Sequence, residues 1–169
     1  MLRRAPMALL VGLVASAAAS LAACRTSLED DPGSEVCDVA TSQACMDAEQ
    51  HADLAWIEAN IFSKQCAFSG CHNGSTTPAG MIDLKNPGMS HAALVDVESK
   101  LEPGRKLVVA GQPKQSYLMM LLQHYPPSAM EPPLAGPPEV GFMPQDADPI
   151  CCQKLDALDR WITAGALNN

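Results

Sequence analysis

The sequence predicts an all-α protein: a small helical domain with a long Pro-rich loop, preceded by a signal peptide and a flexible tether. Three observations carry this. Apolar residues recur at helical spacing over residues 48–64 and again over 149–164. Prolines crowd the stretch from Tyr125 to Pro149 and exclude both helix and inner strand there. No strand-rich region and no internal repeat is present.

The chain opens on Met1-Leu-Arg-Arg, continues in an uncharged apolar run from Ala8 to Ala19, and closes it with Leu21-Ala-Ala-Cys24. A basic start, a short apolar core and small residues before a cleavage point read as a secretory signal peptide over residues 1–23. The run is too short for a comfortable membrane span. The closing tetrapeptide resembles the bacterial lipobox. That resemblance implies lipidation of Cys24 as the first mature residue, and several acyl chains anchor a protein stably. Arg25-Thr26 carries no Asp-type retention signal, which favours the outer membrane. The expected location is the cell envelope, lipid-anchored, on the periplasmic side or at the outer membrane.

Residues 24–47 are acidic and polar, with Asp30-Asp31-Pro32-Gly33 and no hydrophobic period, and read as a tether. The domain then spans residues 48–169. Its first helix, Ala48 to Lys64, carries Leu54, Trp56, Ile57, Ile61 and Phe62, with Asp47 placed to cap it, and runs directly into Cys66. Turn residues such as Asn73-Gly74 and Asn86-Pro87-Gly88 make the next stretch a loop. Ser90 reads as the cap of a short helix, His91 to Val97. Leu107 to Ala110 is a brief extended run. Tyr117 to Gln123 is helix-prone, with Ser116 as its cap. After the Pro-rich loop comes an amphipathic helix, Pro149 to Ala164, with Leu155, Leu158, Trp161 and Ile162 on one face. Gly165 stops it.

Cleavage removes Arg3 and Arg4 and no acids. Nine basic residues then face nineteen acidic ones, a formal charge of −10. Phosphate backbones need a basic patch, so nucleic acid is not an expected partner. A basic protein partner is compatible with this charge. Only seven residues are Phe, Trp or Tyr, a thin supply for a core. A bulky apolar cofactor in the centre would supply the missing mass.

Seven cysteines on an exported chain point to an oxidising compartment. With Cys24 lipidated, six remain, enough for complete pairing in disulfides or thioethers. Cys66-Ala-Phe-Ser-Gly-Cys71-His72 is close to the haem-attachment pattern Cys-x-x-Cys-His, with four residues between the thiols instead of two. Haem attachment asks for two thiols that reach two vinyl groups of one porphyrin and a histidine that reaches the iron. The two extra residues must bulge out, and Ala67, Ser69 and Gly70 are small enough to allow it. A Cys66–Cys71 disulfide is the alternative from the motif alone. Zinc would need a second ligand pair, and His51, His91 and His124 are isolated.

A six-coordinate haem needs a second axial ligand, and methionine opposite histidine raises the potential of c-type cytochromes. Met143, in Gly141-Phe-Met-Pro144, sits where prolines restrict the backbone. Met130 is its rival. Met81, Met119 and Met120 read as core filler. His124 reads as a solvated loop histidine.

"IFSKQCAFSGCH" at 61–72, "AGMIDL" at 79–84, "VVAGQPKQSYLMMLL" at 108–122, "FMP" at 142–144 and "LDALDRWITAGA" at 155–166 stand in this order. Together they resemble the cytochrome c-like domains of exported bacterial lipoproteins, a kind abundant in myxobacteria. The resemblance covers roughly residues 54–167, and its most specific parts are the Met-Pro and the Trp-Ile-x-x-Gly-Ala ending. It implies Cys66 and Cys71 as thioether positions, His72 as proximal ligand and Met143 as distal ligand. It implies a fold whose first and last helices cross, here through Trp56 or Ile57 against Leu158 and Trp161. The departure is the four-residue bridge, since the attachment machinery reads Cys-x-x-Cys-His. The implied cofactor is a haem, haem c where both thiols are joined.

Cys151-Cys152 are adjacent, and two separate partners suit them better than a strained bond to each other. Pairing with Cys37 and Cys45 would clasp the tether to the last helix; spacing does not reveal the connectivity. No nucleophile–base pair or carboxylate dyad stands out, so catalysis is not expected. The expected function is single-electron transfer by a membrane-tethered monohaem domain, with a redox protein as partner and the membrane reached through Cys24. The alternative is a haem-free lipoprotein module with a Cys66–Cys71 disulfide and a binding or structural role.

Overall fold

The computed structural model describes residues 37, 39–68, 71–74, 82–145 and 147–169. The expected signal peptide, Cys24 and most of the expected tether lie outside the described residues, as do Met81, Ser69 and Gly70. The protein is all-α. Among the described residues five helices follow one another: α1 (Gln43–Met46), α2 (Leu54–Ile57, continuing through wide π-type turns over Glu58–Cys66), α3 (Ser90–Leu94), α4 (Tyr117–Leu121) and α5 (Cys152–Thr163). Among the described residues extended pairing is limited to isolated bridges, such as Val95 with Val108 and Glu98 with Lys106.

The chain is packed against the domain earlier than position 48. Cys37 is bonded to Cys152 and Cys45 to Cys151. The Gln153 amide holds Ala40 from both sides, donating to its carbonyl at 2.7 Å and accepting from its N–H at 3.2 Å. These ties substitute for an apolar stripe, which is why the segment has no hydrophobic period.

The first long helix begins at Leu54 rather than at Ala48. Asp47 opens a separate 3₁₀ turn, Asp47–Gln50, and the chain is extended at His51. Asp53 is the cap: its carboxylate accepts from Trp56 N–H at 2.8 Å. Asn169 completes the cap, its side chain accepting from Leu54 N–H at 3.0 Å and its backbone carbonyl from Ala55 N–H at 2.9 Å. Three orphan donors of one helix end are thereby satisfied by residues more than a hundred positions apart. Towards its C-terminal end α2 widens. Asn60 Nδ2 and Ser63 Oγ donate to the carbonyls of Trp56 and Ala59, four residues back. The next regular bond spans five residues, from Ala67 N–H to the Phe62 carbonyl.

Ser90 does not cap α3 as expected; it is the helix's first residue, and its hydroxyl bonds the Glu58 carboxylate. Glu58 also accepts from Gly88 N–H, so α2 pins the loop that enters α3. The helix ends at Leu94, because Val95 and Val97 pair instead with the run around Val108 and Leu107. Ser116 stands at the N-cap position of α4, as expected, but its hydroxyl donates to the Gln112 carbonyl and accepts from Val109 N–H instead of bonding the helix's own N–H groups.

The core is built from Leu54, Ile57, Ile61 and Phe62 of α2, the residues of α4, and Leu155, Leu158, Trp161 and Ile162 of α5. The first and last long helices pack on each other. Ile57 is fully buried in that contact, whereas Trp56 is half-buried and stacks on the His51 ring at 4.5 Å. Arg160 ties α5 to the first turns, donating to the carbonyls of Ala48 and His51 at 2.7 and 2.9 Å. Helix α5 begins at Cys152, the second of the two bonded cysteines, with Cys151 at its N-cap position, and ends in a Schellman motif. Gly165 takes φ +103°, Ala166 N–H reaches the Trp161 carbonyl, and Gly165 N–H reaches that of Ile162. Among the described residues of the 125–149 stretch, Pro127–Ala129 forms a short 3₁₀ turn and the rest is irregular.

Candidate functional site

The widened end of α2 delivers Cys66 into the interior. There its side chain is buried against the core. The chain then turns back on itself: Cys71 N–H donates to the Phe68 carbonyl at 3.0 Å, and His72 N–H donates to the Cys66 carbonyl at 3.1 Å. The second bond is the closure of the four-residue bridge. It returns the backbone to Cys66 at the position of His72. His72 is held from its other side as well, since its carbonyl accepts from Leu84 N–H at 2.9 Å. One residue on, Asn73 pairs with Asp83, and Gly74 lies against the Asp83 side chain with φ +77°. A Cβ there would stand 2.8 Å from a carboxylate oxygen, so Gly74 is required for this close approach.

Cys66 and Cys71 are not bonded to each other, unlike the other four described cysteines. Burial pushes the Cys66 thiol up to about 12, with Cys71 adding to the rise and Lys154 opposing it. The two sulfurs are thus neighbours that sense each other's charge. Cys66 is a neutral thiol across the physiological range. That is unlike a thiolate prepared for a metal, and among the described residues no group of three His, Cys, Asp or Glu side chains is placed to hold an ion.

Met143 is half-buried at the edge of the core and is anchored by its N–H, which donates to the Leu121 carbonyl at 2.7 Å. Met130 is 1% exposed and belongs to the core itself, as Met119 and Met120 do. An open depression is walled by Lys64 and Phe68 on one side and Ala147 and Asp148 on the other. It brings the cysteine loop beside the chain that leaves Met143.

His124 departs from its sequence reading. It is 3% exposed rather than solvated, because α5 covers it. Its Nε2 lies 3.5 Å from Asp159, and the Tyr125 hydroxyl donates to the same carboxylate. Burial raises the Asp159 pKa, but His124, Tyr125 and Thr163 together outweigh it and hold the carboxyl below its ordinary range. A depressed carboxyl contributes stability above its unfolded value and loses it as pH falls through the folded one. Unfolding free energies of wild type and Asp159→Asn should therefore differ most at neutral pH and converge below the ordinary carboxylate range. A gap that stays constant with pH would contradict this assignment.

Lys154 and the exact disulfide connectivity are the features that sequence reasoning left unassigned; the expected pairing of Cys151 and Cys152 with Cys37 and Cys45 is found as Cys37–Cys152 and Cys45–Cys151. The periodic pattern of α5 places Lys154 beside Leu155 on the buried side, which was the one available signal. No family model, no curated protein and no solved structure matches this chain.

Proposed function

We propose that the chain is a cytochrome c-like domain that carries single electrons, tethered to a membrane of the cell envelope through lipid on Cys24. The observation that supports this is the selective pairing of cysteines: Cys37, Cys45, Cys151 and Cys152 are bonded, while Cys66 and Cys71 stay as thiols beside a backbone-fixed His72. Reduced thiols are what thioether attachment consumes. The residues present fit a haem in this respect: two neighbouring thiols, one of them neutral by burial, and a histidine whose backbone is tied to the first of them. Cys66 and Cys71 would hold the porphyrin, His72 would bind the iron, and Met143 would take its other face. When bound, the haem supplies one-electron chemistry; the chain supplies ligation, burial and orientation. No helix among the described residues is long and apolar enough to cross a membrane. The redox partner would be a protein, and the acidic chain suits a basic one.

The intact mass and absorption spectrum of the exported chain test both halves. Lipid mass on Cys24, haem mass on the Cys66–His72 peptide and a Soret band are expected. A chain that lacks both the band and the haem mass is not a cytochrome.

A second reading rests on the closeness of the same two sulfurs. In it the chain is a haem-free lipoprotein module in which Cys66 and Cys71 are joined, with a binding or structural role. Peptide mapping without reduction separates the two, because a Cys66–Cys71 disulfide excludes thioethers.

A further inference from the structure

The two long helices run antiparallel, and their contacts give the domain two distinct ends. At one end the start of α5 meets the finish of α2. Lys154 Nζ donates to the Asn60 carbonyl at 3.0 Å and to Gln65 Oε1 at 3.1 Å, and Gln65 immediately precedes Cys66. At the other end the residues that follow α5 meet the start of α2. The Trp161 indole donates to the Leu167 carbonyl at 2.8 Å, and Asn169 accepts from the N–H groups of Leu54 and Ala55. Gly111 joins this second end, its N–H reaching the Ile162 carbonyl at 2.7 Å. Helix α5 has 12 residues, so the two ends stand about 18 Å apart.

The N-terminal part of the chain is fastened to the first of these ends. Cys37 is bonded to Cys152, with Cα atoms 5.1 Å apart, and Cys45 is bonded to Cys151. Between them Ala40 is held by Gln153. Cys151, Cys152 and Gln153 are consecutive residues at the start of α5. Apolar packing contributes little to this docking, since Val39 and Met46 are exposed. The covalent bonds therefore decide where the chain enters the domain, and it enters at the end that carries the cysteine loop.

The clasp also sets a length. Cys37 is thirteen residues beyond Cys24, a reach of at most about 45 Å. Without the two bonds the first firm hold would be Ala48, whose carbonyl Arg160 grips, and the reach would grow to about 80 Å.

We propose that the clasp gives the anchored domain a polarity: the Cys66–His72 loop lies toward the membrane that holds Cys24, and the end marked by Gly111 and Asn169 lies away from it. The polarity relative to a membrane rests on reading Cys24 as the anchor; the fastening of the chain to the cysteine-loop end does not. The partner this arrangement fits is a protein embedded in the same membrane, with a basic surface toward the acidic chain. A soluble partner arriving from the far side would meet the end without the cysteines.

The test measures height above a membrane at both ends. The full mature chain carries an azide-bearing phenylalanine in place of Lys64, exposed at the first end, or of Leu167, exposed at the second. A fluorescent donor is attached to the azide, and vesicles of phosphatidylcholine carry an acceptor-labelled lipid. The exported chain is anchored by its own lipid. A Cys24→Ser chain is anchored on nickel-chelating lipid by a histidine tag at its N-terminus or, separately, at its C-terminus. Energy transfer to a plane falls steeply with height. With either N-terminal anchor, a separation of about 18 Å should give at least roughly twofold more transfer from position 64 than from position 167. The C-terminal tag should reverse the order. Equal transfer, or more from position 167, under N-terminal anchoring overturns the proposal, and so does an order that the C-terminal tag leaves unchanged. Lipid mass on the exported chain is read separately. Its absence would remove the reading of Cys24, while the tagged chain still decides the polarity.

Discussion

Removing either disulfide alone is expected to cost about 3 kcal/mol of unfolding free energy, and removing both about 7–8 kcal/mol. Cys37–Cys152 and Cys45–Cys151 span sequence separations of 115 and 106 residues, but the two loops are nested. While one bond stands, the other closes only the short circuit between adjacent anchor points, about 15 residues or fewer, for which the chain-entropy estimate is about 3 kcal/mol. Opening the second bond releases the whole domain as one loop, for which the estimate rises to nearly 5 kcal/mol. The cysteines should be replaced in pairs, Cys37→Ser with Cys152→Ser and Cys45→Ser with Cys151→Ser, so that no new thiol is left to exchange. Denaturant unfolding of the two double variants and the quadruple variant measures the effect. If the quadruple variant loses no more than either double variant, the bonds do not act as a nested clasp. A domain with so few aromatic residues has little reserve, and the quadruple variant is expected to unfold near physiological temperature.

Met130→Ala and Met143→Ala are expected to fail in opposite ways. Met130 is fully buried among core residues, so its truncation leaves a cavity and costs about 2–5 kcal/mol. It should leave the absorption spectrum and midpoint potential of the holoprotein unchanged. Met143 lies at the core's edge and is fixed through its backbone to Leu121, so its side chain can be shortened at smaller cost. In the holoprotein Met143→Ala should remove the thioether–iron absorption and lower the potential, because methionine ligation raises it. Spectroelectrochemistry of the two variants, with unfolding curves alongside, decides the matter. Unaltered absorption and potential in Met143→Ala would exclude it as a ligand; changes in a well-folded Met130→Ala would transfer the role.

Much of the helical layout was legible along the chain. Leu54, Ile57, Ile61 and Phe62 mark the inner side of α2, and Leu155, Leu158, Trp161 and Ile162 mark that of α5. Gly165 marks the end of α5 because the left-handed turn needs it. Helix starts were less legible. Asp47 and Ser90 have a cap's chemistry but do not cap, and Ser116 stands at the N-cap of α4 while its hydroxyl bonds elsewhere; a hydroxyl or carboxylate caps only where no better partner lies in reach. For Ser90 the better partner is Glu58, thirty-two residues away. For α2 the cap is shared by Asp53 and Asn169, and no local pattern could show the second of these.

The candidate site divides in the same way. The cysteine loop with His72 is a local motif, and its closure by the Cys66–His72 backbone bond is local too. His124 looked like a loop histidine because the residues beside it in sequence are polar or turn-forming; the fold covers it with Asp159 from α5. Lys154 looked like one charge on an amphipathic helix, and only the crossing of α2 and α5 sets its amine against Asn60 and Gln65.

The sequence by itself determined the all-α class, the apolar stripes, and the chemistry gathered in Cys66, Cys71 and His72. These follow from periodicity and spacing, which act between near neighbours. The tertiary structure alone decided which of Cys37 and Cys45 bonds Cys151 and which bonds Cys152, which methionine is core and which lies at its edge, and which buried charge holds the end of α2. Those outcomes depend on side chains about a hundred residues apart meeting in a low-dielectric interior. There the cost of an unpaired polar group, rather than local propensity, selects the partner.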